Sequence, residues 1–140
     1  QNDQYIPAWS AYSEYIKGEL IQPLVDGATY ELVFNVALAG NSDRSIKGVG
    51  AYFSELDLTY QNRKFMEEDP QVFLDKIIEE RNKWVEVRDI FVADGKEQFV
   101  ILGVFPYVGL ESKPMIEGYD NRYAYYYIDG ISLKRVEPKP

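Results

Sequence analysis

Glu55 and Asp57 stand one residue apart in a segment that reads as a β-strand, so both carboxylates would project from the same face. Two carboxylates facing one cleft are what acid–base cleavage of a glycosidic bond requires. The next position on that face is Thr59, so no third carboxylate follows them. The chain has no histidine and no cysteine. Their absence removes the serine–histidine triad, histidine-ligated zinc, thiolate nucleophiles, disulfides and cysteine-built metal clusters. Carboxylates, tyrosines, lysines and arginines remain, and catalysis is not expected from them.

Recognition chemistry is better supplied. The chain holds 12 tyrosines. Tyr107 and Tyr119, with Glu111, Asn121 and Arg122, lie in or beside one long loop. Flat aromatics stack against the C–H faces of sugar rings, while amides, guanidinium groups and carboxylates bond the hydroxyls. These five residues form the first candidate binding set, and Trp9 and Tyr12 near the amino terminus form a second. The plainer role for any one tyrosine is to cover an apolar core with only its hydroxyl wet, and Tyr30, Trp84, Tyr125 and Tyr127 are expected in that role.

Asp129-Gly130 interrupts a long run of aromatic and β-branched residues from Arg122 to Val136. The spacing of Ile128, Ile131 and Leu133 breaks strict alternation. A bulge at Asp129-Gly130 would restore the inward register of these apolar side chains. Asp129 would then cap the bulge by accepting from nearby backbone N–H groups.

Composition bounds the rest. A chain of 140 residues with 46% hydrophobic content makes one domain with a real core. The net charge of −8 and the scatter of Lys and Arg argue against nucleic acid and anionic lipid as partners. No apolar run reaches the roughly 18 residues of a membrane helix, so direct membrane insertion is not expected. Glu67-Glu68-Asp69 and Glu79-Glu80 read as solvated surface.

Period-two alternation dominates the elements that must position these groups. Strands are expected over 13–22, 28–39, 47–59 and 123–136, with a turn at Asp26-Gly27. In the second of these, Tyr30, Leu32, Phe34, Val36 and Leu38 share one face. Asp69-Pro70 could open a helix running to Arg81, or a short edge strand could occupy 71–73. Residues 84–93 and 97–105, joined through Asp94-Gly95, predict a hairpin. Residues 106–121 read as a long loop, residues 1–136 as a single domain, and residues 137–140 as a tail or linker. The chain opens at Gln1 rather than a methionine, and a processed or trimmed product is expected. Six or seven strands at this spacing argue an all-β sandwich.

The ordered pieces 13–24, 27–39, 48–54, Trp84 with 91–95, 98–105 and 125–133 resemble the jelly-roll, galactose-binding-like domain of bacterial cell-envelope proteins. In anaerobic Gram-negative bacteria that domain often precedes an outer-membrane-protein-A-like (OmpA-like) peptidoglycan-anchoring domain. The resemblance implies an all-β jelly roll of two antiparallel sheets and a non-catalytic recognition module of the carbohydrate-binding kind. It also implies a place in the periplasm or on the outer membrane or cell surface. Asp129 matches an acid that helps hold a structural calcium in many such jelly rolls. The family's usual second acid is replaced by Gly130, which weakens a metal site there. The family also has one or two strands ahead of the segment matching Ser13, so this chain is expected to lack its first strand. An open edge along 122–136 would then invite pairing with a neighbouring chain. Two functional readings stay open: a carbohydrate-binding module, or a structural or protein-interaction domain with no sugar ligand.

Overall fold

A computed structural model describes residues 15–40, 44–58, 68–105, 112–114 and 126–137. They form nine strands and no helix: β1 (Ile16–Glu19), β2 (Thr29–Leu38), β3 (Arg44–Ile46), β4 (Val49–Ser54), β5 (Val72–Phe73), β6 (Trp84–Val92), β7 (Phe99–Val104), β8 (Ser112–Pro114) and β9 (Tyr126–Val136). One sheet has the order β1-β7-β4-β5, the other β6-β2-β9, and β3 and β8 make a separate ribbon. All strand pairs are antiparallel. The chain passes repeatedly from one large sheet to the other, as β1 to β2 and β6 to β7 do. The protein is an all-β jelly-roll sandwich.

The alternation of β2 explains why the sheets close on each other. Tyr30, Leu32, Phe34, Val36 and Leu38 all point inward and are buried. They meet Ala51 and Phe53 of β4, Val72 of β5, and Val100 and Leu102 of β7 in one core cluster. Phe53 lies 4.5 Å from Phe91 between ring centroids, and Tyr30 lies 6.1 Å from Phe91 on its own sheet. Each such ring contributes about 1.5–3 kcal/mol by leaving water. Their contact across the layers fixes how the sheets face each other.

The Asp26-Gly27 turn forms as expected, with Gly27 at φ 79° and Ala28 donating its N–H to the Val25 carbonyl at 3.0 Å. The bulge also forms. Asn35 opposes Asp129 and Val33 opposes Ser132, so Gly130 and Ile131 together face Phe34 alone. Gly130 carries the positive φ, 65°, that this kind of bulge needs. Ile128 and Leu133 pack on the core, but Ile131 is 48% exposed rather than inward-facing. Ile131 is the extra residue of the bulge, so the register is restored only after it.

Three expectations are corrected. Residues 70–81 hold no helix; the edge-strand alternative is the one that forms, as β5. Val72 is fully buried opposite Ala51, and the Gln71 amide bonds both Phe53 N–H (2.8 Å) and Phe53 C=O (3.1 Å), extending the ladder by side chain. The hairpin of 84–105 does not form either. β6 pairs with β2 in one sheet, whereas β7 pairs with β1 and β4 in the other. The Asp94-Gly95 turn is real, but Glu97 takes its N–H groups and Gly27 donates to the Ala93 carbonyl, so the connection bridges layers instead of closing a ladder. Finally, β4 stops at Ser54, so Glu55 and Asp57 do not sit on a strand. β3 and β8 were not anticipated.

Candidate ligand-binding face

The outer face of the β6-β2-β9 sheet is the surface on which aromatic and polar groups converge. β2 is its central strand, and its residues between the core-facing ones look outward. Cross-strand partners share a face, so the register writes this surface as rows. Trp84, Ala37 and Tyr127 form the first row, and Glu86, Asn35 and Asp129 the second. Arg88, Val33 and Ser132 form the third, and Ile90, Glu31 and Lys134 the fourth.

Trp84 is 52% exposed and Tyr127 56% exposed, while Ala37 between them is buried at 3%. This overturns the expectation that Trp84 and Tyr127 cover the core. Their neighbours Val85, Tyr126 and Ile128 take the inward positions, and the Tyr126 hydroxyl donates to the Ile78 carbonyl at 3.2 Å. Tyr30 does pack inward as expected, accepting from the Val25 N–H at 2.9 Å. In a run of three consecutive tyrosines, alternation cannot say which phase faces in; pairing to β2 decides it.

The polar rows are organised by charge. Arg88 donates to Glu86 at 2.9 Å and to Glu31 at 3.0 Å, and Lys134 approaches Glu31 at 3.9 Å. The hydrogen bonds to Glu86 and then Glu31 hold the Arg88 guanidinium above its usual value. The Asn35 amide reaches over Gly130, where an added Cβ would stand 2.8 Å from its nitrogen. An acid at position 130 would require that amide to shift, and would hold a side chain at φ 65°.

Other expected groups fall elsewhere. Tyr107, Tyr119, Glu111, Asn121, Arg122, Trp9, Tyr12 and Tyr125 lie outside the described residues. Glu55 and Asp57 are exposed, and Asp57 pairs with Lys17 instead of facing a second carboxylate. Asp129 is exposed in the second row beside Asn35. Calcium takes six to eight oxygens from carboxylates, carbonyls and water, and among the described residues no group of three or more acids is placed to hold a metal ion by side chains. No helix among the described residues is long and apolar enough to cross a membrane.

No protein-family model matches the sequence, and no curated protein does. Among solved structures, the CBM22-1 xylan-binding domain from Paenibacillus barcinonensis Xyn10C aligns with a TM-score of 0.43 and 14% identity, over 91% of this chain and 74% of that one.

Proposed function

We propose that the protein is a non-catalytic recognition module that binds carbohydrate on the outer face of β6-β2-β9. The observation carrying this reading is the row Trp84–Ala37–Tyr127, in which two large aromatics are more than half exposed on a rigid sheet. Leaving such rings in water forgoes on the order of 1.5–3 kcal/mol each, and a clustered aromatic surface with polar neighbours suits a ligand with apolar faces and hydroxyl edges. Glu86, Asn35 and Asp129 supply those polar neighbours one row away. A location in the periplasm or at the cell surface follows from the resemblance of the sequence to cell-envelope jelly rolls and belongs to this proposal. So does an OmpA-like neighbouring domain.

A second reading rests on Ile90 and Val92, which are exposed at the far end of the same face and suit a protein partner. The two separate on a glycan array and insoluble-polysaccharide depletion, run with wild type, Trp84→Ala, Tyr119→Ala and Asp129→Ala, in calcium and in chelator. Saturable glycan binding weakened roughly tenfold by Trp84→Ala, the worth of one stacking contact, is the expected result. Binding lost in chelator and in Asp129→Ala would restore a metal to the site. Absence of any glycan ligand would overturn the carbohydrate reading and leave the protein-interaction one.

A further inference from the structure

We infer that the ligand of this face is a linear, extended, uncharged polysaccharide lying across the strands, with alternate sugar rings on Trp84 and Tyr127. The inference rests on the carbohydrate reading above and deepens it. Trp84 and Tyr127 are each directly opposite Ala37, so the two rings rise from positions two interstrand steps apart, about 10 Å. That is the span of two sugar units in an extended β-linked chain. A sugar on Trp84 is thus followed by one spanning the gap between the rings, above buried Ala37, and by a third on Tyr127.

The direction is set by what lies along each strand. Moving along β6 from Trp84, the next outward residues are Glu86 and Arg88; along β9 from Tyr127, the next is Asp129. Only a chain crossing the strands meets both aromatics. The Glu86–Asn35–Asp129 row then runs parallel to it, about 7 Å away, where it can bond the hydroxyls along one edge of the chain.

Charge selects the class of sugar. The face holds, among the described residues, three carboxylates, Glu31, Glu86 and Asp129, against two cations, Arg88 and Lys134. Both cations are turned to carboxylates of the same face. A uronate or sulfate would meet, among the described residues, net negative charge on this face and cations already drawn toward carboxylates, within a protein at −8. Among the described residues, β6 and β9 are the edges of the sheet, so a chain can enter on one side and leave on the other. The face therefore accepts internal segments and has no need of a chain end.

Isothermal titration calorimetry of the full chain against xylo-, cello-, manno- and chito-oligosaccharides of two to six units tests this, with polygalacturonate and maltohexaose alongside. At least one β-linked series should show a rise of roughly tenfold between two and three units, when both rings are first spanned. Trp84→Ala and Tyr127→Ala should each remove that step while leaving the far-ultraviolet spectrum unchanged. Three results would overturn the inference while the carbohydrate reading stands: a disaccharide binding as tightly as its hexasaccharide, polygalacturonate or maltohexaose binding best, or array binding confined to branched or terminal sugars. Silence on both the array and the calorimetric panel would instead sink the carbohydrate reading, and this inference with it.

Discussion

Glu97 is the charged side chain buried among the described residues, at 5% exposure, and its carboxylate organises the connection between the two sheets. It accepts from the backbone N–H of Asp94 (2.7 Å), Gly95 (2.9 Å) and Lys96 (3.1 Å). Burial pushes its carboxyl up, but these backbone donors outweigh burial and hold it below its ordinary value. A folded value below the unfolded one means stabilisation that is complete above the unfolded value and drains away as pH falls through the folded one. Glu97→Gln should cost about 1–3 kcal/mol near neutral pH. Urea midpoints near pH 7 and near pH 3 should converge between variant and wild type, and an unchanged gap at both would refute the role. Gly130 offers a second residue-level test. Gly130→Ala places a side chain at φ 65° against the Asn35 amide and should cost about 1–3 kcal/mol. In an Asn35→Ala background the steric part should vanish and the backbone part remain, a difference that a double-mutant cycle in denaturant reads directly.

At the scale of elements, β5 is held less by its own length than by one side chain. It has two residues, and Gln71 continues its pairing by bonding both the N–H and the C=O of Phe53. Gln71→Ala leaves those groups without their partner and should cost about 1–3 kcal/mol. Faster amide exchange at Phe53, with little change in β2, is the expected signature; uniform change across the sandwich would show that Gln71 does not act locally. The same element explains why 70–81 was ambiguous in the sequence. Phe73 and Ile77 sit at helical spacing, yet fully buried Val72 and the Gln71 clamp favour the extended backbone.

For the whole molecule, the balance of charge bears on binding. The net charge of −8 and the internally paired cations of the aromatic face leave little electrostatic contribution to an uncharged ligand. Glycan affinity measured at about 0.05 M and about 0.5 M salt should therefore differ by less than about threefold, whereas a ligand held by ion pairs would weaken steeply over that range. The two sheets share one core, so Trp84→Ala, made on the outer face, should leave thermal stability close to wild type while binding falls. A large loss of thermal stability would mean that Trp84 supports the fold and would weaken its assignment to the ligand.

The sequence by itself determined the all-β class, the inward face of β2, the Asp26-Gly27 turn and a bulge at Gly130, though not that Ile131 would face out. Each of these rests on local chemistry: side-chain period, glycine's tolerance of positive φ, and a break in alternation that only an extra residue repairs. Which strands pair was not legible, because pairing is chosen by contacts far apart in the chain. Asp94-Gly95 announced a turn correctly, but whether that turn closes a ladder or crosses between sheets depended on Glu97 and on the partners waiting for β6 and β7. The aromatic face was hidden for the same reason. Trp84, Ala37 and Tyr127 are distant in sequence, each reads as core material by type, and only their common register on β2 puts them on the outer face in one row, with the two rings exposed on either side of Ala37.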